Sequence, residues 1–286
     1  SSWASQSTSG IMLKTITRFV SLVLVLVVHP AYGVPSPETW ERWLPHDPDS
    51  MHRVDNSAWE TFLLLHLRIG QDGTHRIAYG EVSDRGRAML DGYVRSLAAA
   101  PIASLNRAEQ MAYWINLYNA LTIQVVLDHY PVASIRDIDL TPTRRGIGPW
   151  DKKLIEIDGI PISLNDIENR ILRPIWRDPR VHYATSCAAI SCPNLQPEPF
   201  QGDRLERQLT EVAMAYINDP RCIEMDGQRL KVASIFRWYA ADFGGSDRGV
   251  ISHLMAYAEP KLAMTLQRFD RIDGDFFDWG LNNVTP

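Results

Sequence analysis

From residue 57 onward, apolar side chains recur every three to four positions, the period of amphipathic helices. In GRAMLDGYVRSLAAA the stripe is Met89, Leu90, Tyr93, Val94 and Leu97. Asn106 and Glu109 then resemble a capping box that opens a longer helix, AEQMAYWINLYNALTIQVVLDHY, which Pro131 ends. Trp114, Leu117, Tyr118, Leu121 and Val125 form one stripe of it, but apolar residues occupy other faces too, so it is predicted to be the buried central helix. LNDIENRILRPIW after Ser163, DRLERQLTEVAMAYIND with Leu205, Leu209, Val212 and Tyr216 inward, SIFRWYAADF, and a pair near GVISHLMAYA and PKLAMTLQRF complete the helices.

Strands are fewer. Asp158-Gly159 between LIEI and IPIS signals a hairpin, and Asp226-Gly227 between residues 222–225 and 228–232 signals another. RVHYAT, Arg180 to Thr185, reads as a buried strand entering a cysteine loop. Helices outnumber strands and do not alternate with them regularly, which predicts a helix-rich α+β fold rather than a doubly wound sheet. No repeat interrupts residues 57–286, so one globular domain is expected there. Residues 34–56, rich in Pro, Trp and polar side chains, read as an N-terminal arm.

The first 33 residues have a different character. Met12, Lys14 and Arg18 make a short basic start, Phe19 to Val28 is an apolar run of signal-peptide length, and Ala31-Tyr32-Gly33 supplies small residues for cleavage after Gly33. Residues 1–11 then lie upstream of a start at Met12. The expected location is periplasmic or secreted, with no membrane span after signal removal. A net charge of -5 and a pI near 5.9 argue against a nucleic-acid partner. Arg144 and Arg145 alone form no basic stripe.

Candidate chemistry concentrates in HYATSCAAISCPNL, His182 to Leu195, which holds Cys187 and Cys192. Export favours disulfides, and with three cysteines at least one sulfur stays outside an internal pair. Three readings are open. Cys187 and Cys192 could close a small disulfide loop. Alternatively, Pro193 at a first helical position would make Cys192 the cap of a short turn, whose positive end favours thiolate. His182 would then be the base, with Asn119, Asn116 or Asn165 orienting its ring and Glu168 as a further polar partner. As a metal site, His182, Cys187 and Cys192 match no standard zinc spacing. Neither a phosphate loop nor a dinucleotide fingerprint is present, so no cofactor is expected.

YWINLYNALTI from Tyr113, SLNDIENRILR from Ser163, RVHYATSCAAISCPNL from Arg180, SIFRWYAADF from Ser234 and FFDWGLN from Phe276 follow in an order that resembles the family called domain of unknown function 547. The resemblance spans nearly all of residues 57–283. It implies an exported bacterial protein or a relative of plant coiled-coil proteins, without an established common activity. In that family's pattern, the position of Asn169 commonly carries histidine, and asparagine is expected at Ser186. A papain- or transglutaminase-like arrangement is the finer fold expectation. The leading biochemical reading is a thiol-dependent hydrolase or acyl transferase acting on peptide-like bonds. The competing reading is a non-catalytic binding domain with a structural Cys187–Cys192 disulfide, a peptide or small-molecule ligand, and the aromatic arm from Trp40 to Trp59 as one partner surface.

Overall fold

A computed structural model describes residues 37–140 and 148–284. The signal segment with its cleavage point at Gly33, and the Arg144–Arg145 pair, lie outside the described residues.

Helix α1 (Ser57–His66) leads into a small hairpin of β1 (Leu67–Ile69) and β2 (His75–Ile77). Helix α2 (Asp84–Ala98) begins at Ser83, whose side chain accepts from the Gly86 N–H. Helix α3 (Arg107–His129) is the core: from Glu109 to Leu127 nearly every side chain is buried, as its all-round apolar pattern predicts. Asn106 caps it by accepting from the Glu109 N–H at 2.9 Å. The Glu109 carboxylate does not complete the box. It is buried and accepts from Val54 N–H (2.9 Å) and Gly202 N–H (2.8 Å), tying two distant segments to the start of α3. Gly202 permits this approach, since a Cβ there would sit 2.8 Å from the Glu109 Cα.

The first predicted hairpin forms as β3 (Ile155–Ile157) and β4 (Ile160–Ile162), with Asp158 (φ 51°) and Gly159 (φ 75°) both left-handed at the turn. LNDIENRILRPIW does become helical, but with a wider coil over Asp166–Leu172 before α4 (Arg173–Trp176); the Arg173 N–H reaches back to the Glu168 carbonyl, five residues away. Ser163 and Asp166 cap it reciprocally. Asp166 Oδ2 accepts from the Ser163 N–H (2.8 Å), and Ser163 Oγ accepts from the Asp166 N–H (3.1 Å).

RVHYAT is not a strand. Val181–Ala184 forms a single helical turn, α5, with Thr185 N–H donating to the Val181 carbonyl. The preceding Asp-Pro decides this: Pro179 presets helical φ, and the Asp178 carboxylate accepts from the Arg180 N–H at 2.9 Å. Helix α6 (Leu205–Ile217) buries Leu205, Leu209, Val212 and Tyr216 as predicted.

The second hairpin, β5 (Ile223–Asp226) with β6 (Arg229–Ala233), is shifted by one residue from the expectation. Asp226 pairs with Arg229, so Gly227 (φ 59°) and Gln228 make the turn, with glycine at the position a two-residue loop needs. Helices α7 (Ile235–Trp238), α8 (Asp247–Tyr257) and α9 (Pro260–Leu266) follow, and β7 (Gly274–Phe276) pairs in parallel with β6. The described part is therefore a mixed α+β domain with more helix than sheet and only short strands. Nothing in it marks a papain- or transglutaminase-like arrangement.

The tryptophans of the arm are packed against the domain rather than free, although most other residues of the arm are exposed. Trp43 is buried edge-on against Trp114 at 5.1 Å, and Trp59 is buried between Phe62 and Tyr93. Trp40 lies under the Arg170 guanidinium at 4.0 Å. Residues 38–40 also add backbone bonds to Asn169 and Arg170.

Candidate functional site

The cysteine loop is a covalently closed, backbone-tied unit. Cys187 and Cys192 form a disulfide across a Cα separation of 5.8 Å. Both sulfurs are spent in that bond, so the expected thiol nucleophile is absent and the cysteine hydrolase or transferase reading is overturned. No helical turn follows Pro193 either, since residues 193–196 are irregular. The Cys192 N–H turns back to the Ala189 carbonyl (3.1 Å), and Ala188 takes a left-handed φ of 60° to close the loop. The third cysteine, Cys222, is free and fully buried, and burial pushes its thiol well above the usual range.

The C-terminal FFDWGLN segment holds one side of this loop. Ile190 N–H donates to Gly280 (2.8 Å), Asn282 N–H donates to Ala188 (3.0 Å), and Ser191 Oγ accepts from the Asp278 N–H (2.8 Å). Helix α3 holds the other side. Asn119 donates to the Ala184 carbonyl (2.9 Å) and accepts from the Ser186 N–H (2.8 Å). Asn116 does the same with Phe200, donating to its carbonyl (2.8 Å) and accepting from its N–H (2.9 Å). Asparagine presents a donor and an acceptor side by side, which suits it to clamp a backbone amide where water is excluded. From α6 and beyond, Tyr216 and Arg221 donate to the Ser191 and Ile190 carbonyls.

His182 belongs to a different cluster. Its Nε2 lies 2.8 Å from Asp242 Oδ2, and its Nδ1 lies 3.8 Å from Glu168 Oε1. The ring stacks on Tyr239 at 4.0 Å between centroids. Arg173, itself buried, engages both Asp242 oxygens (2.6 and 3.1 Å) and donates to Asn169 Oδ1 (2.8 Å). Burial works to raise the Asp242 carboxyl, but the bonds from His182 and Arg173 outweigh it and hold the group at about 2. Burial, reinforced by the nearby Glu168 charge, keeps Tyr118 and Tyr239 protonated far above the usual phenol range. The imidazole is therefore oriented by carboxylates, and none of the three proposed asparagines bonds it. Asn165 instead donates to Asp151 and accepts from Asn169 (3.3 Å).

Arg173, Tyr239 and Asp242 are not among the site residues expected from the sequence. A legible signal existed. Glu168, Asn169, Arg170 and Arg173 interrupt the apolar residues of IENRILRPI, with Asn169 and Arg173 four residues apart on one face. Among the described residues, no group of three His, Cys, Asp or Glu side chains is arranged to hold a metal ion. No helix among them is long and apolar enough to cross a membrane.

Helix α3, the Asp166–Trp176 helix and the disulfide loop thus form one structural unit. Residues 102–217 match the family described as "Protein of unknown function, DUF547". The match runs from just before α3 to the end of α6, narrower than the motif order suggested. It takes in both clamping asparagines, His182 and the disulfide, and leaves Asp242 and the FFDWGLN segment outside. No curated protein and no solved structure gives a match.

A neighbouring histidine gives the cluster a pH signature. His253 hydrogen-bonds the Tyr183 hydroxyl (2.7 Å); burial first, and then the charge of His182, lower it to about 4, while Asp178 pulls weakly upward. The unfolded chain binds this proton near pH 6.5 and the folded one does not until about pH 4. Stability from this group is therefore complete above pH 6.5 and declines as pH falls toward 4. His253→Gln is expected to flatten the urea midpoint across that window. The difference should amount to about 1–2 kcal/mol after allowing for solvent screening.

Proposed function

We propose that the protein is a non-catalytic binding domain in which the Cys187–Cys192 disulfide braces the backbone around a buried polar cluster. The bridge carries this reading, because it removes the thiols from chemistry while fixing the loop against α3 and the C-terminal segment. We further place it in an oxidising compartment, periplasmic or extracellular, where such a bridge persists. The signal-like start of the chain supports the same location.

The ligand-facing surface in this reading is an aromatic cluster beside the loop's C-terminal partner. Trp279 stacks on Trp238 (5.6 Å) and meets Phe277 (4.6 Å) and Trp150 (5.8 Å), and Arg136 lies 5.2 Å over its ring. All four rings are half-buried, leaving aromatic area open to a peptide or small-molecule ligand. Trp and Arg are the residues that most often dominate binding energy. A panel of short peptides, screened by quenching of intrinsic tryptophan fluorescence, tests this. Saturable quenching that Trp238→Ala and Trp279→Ala each weaken at least tenfold is expected. Quenching unaffected by either substitution, in variants with unchanged circular dichroism, would refute it.

A further inference from the structure

The turn of the β5–β6 hairpin faces the segment between α9 and β7 across a cleft of about 800 Å³. Gly227, Gln228 and Arg229 line one wall, and Arg268, Phe269, Asp270 and Arg271 the other. Three arginines thus line one cavity, on a chain whose net charge is -5. The lining itself holds three arginines and one carboxylate, Asp270.

The pairing of these charges is uneven. Arg271 is held by Asp273 at 2.9 Å, and Asp270 is occupied by Arg248 at 3.5 Å. Arg229 and Arg268, both exposed, form no ion pair within 4 Å among the described residues, although Arg229 feels the Asp273 charge and lies opposite Asp226 across the hairpin. The wall behind them is fixed by main-chain bonds: Leu230 N–H donates to Asp273 Oδ2 (2.9 Å), Asp273 N–H returns to the Leu230 carbonyl (2.7 Å), and Arg237 donates to the Ile272 carbonyl (2.8 Å).

We infer that this cleft binds a compact phosphate group, presented either by a small solute or by a lipid headgroup. Guanidinium forks match the geometry of phosphate oxygens and can engage them bidentately. Phe269 offers an apolar wall for whatever bears the phosphate. A long polyanion fits poorly, because the acidic remainder of the chain repels it beyond this local patch. The site is independent of the disulfide loop and of the aromatic cluster, so it stands or falls separately from the binding role assigned to them.

The test uses the full chain at low salt. Inorganic phosphate is titrated by isothermal calorimetry, and capture by phosphatidylglycerol vesicles is compared with capture by phosphatidylcholine vesicles. Saturable phosphate binding is expected, weakened about fivefold or more by Arg229→Gln or Arg268→Gln and lost in the double variant. Both side chains are exposed, so circular dichroism and melting temperature should not change. Phosphate binding with selective vesicle capture assigns a headgroup, and phosphate binding without capture assigns a free solute. Absent binding, binding indifferent to the two substitutions, or stronger binding of an oligonucleotide than of phosphate would each overturn the inference.

Discussion

Asp242→Ala should be among the most damaging single substitutions in the chain, lowering unfolding free energy by about 3–5 kcal/mol. Asp242 satisfies two cationic or polar partners at once, the Arg173 guanidinium and the His182 ring. Arg173 has a side chain only 4% exposed and cannot reach bulk water when the carboxylate is removed. For a domain of this size, the loss corresponds to a fall in melting temperature on the order of 10 °C. Asp242→Asn keeps the shape but not the charge, and should fall between the wild type and the alanine variant. Because the folded-state carboxyl is held below its usual value of 3.8, at about 2, its stabilisation is complete above pH 4 and lost as pH drops toward 2. The alanine variant should lack that acid limb. Urea titrations at pH 7 and pH 3 measure both effects. A loss under about 1 kcal/mol at pH 7 would show the cluster to be solvated and weak.

Asn119→Ala has the second-largest expected effect, a loss of about 2–4 kcal/mol. The substitution strands the Ser186 N–H and the Ala184 carbonyl, both in a water-excluded site. Reducing the disulfide, or replacing both cysteines with serine, should cost about 2 kcal/mol for so short a loop. The two changes act on the same few residues, so their combined effect should depart from the sum by at least about 0.5 kcal/mol. Additive effects would mean that the clamp and the bridge act separately. Denaturant melts of the single and combined variants decide between these outcomes.

The contrast between what could and could not be read from the sequence is physical. Helix α3 was legible because it is long, capped and uniformly apolar, so local and tertiary forces agree. The β3–β4 hairpin was legible because Asp-Gly suits a turn with two left-handed residues. The same dipeptide misled in β5–β6, where register is set by pairing of the flanking strands and the glycine alone supplies the left-handed φ. Arg180 to Thr185 read as a buried strand, but Asp178 and Pro179 immediately upstream impose a helical turn over Val181–Ala184. Of the readings open for the cysteine loop, the disulfide is the one that forms. The His182–Asp242 contact spans 60 residues of sequence and has no local signature, so the base was placed beside the wrong partner.

The structural role of the cysteine loop is most directly tested by alkylating the folded, non-reduced protein with iodoacetamide and mapping the products by mass. A Cys187–Cys192 cross-linked peptide, two hydrogens lighter than its reduced form, is predicted, with label on Cys222 only after denaturation. Carbamidomethyl on Cys192 in the native, unreduced protein would contradict the account.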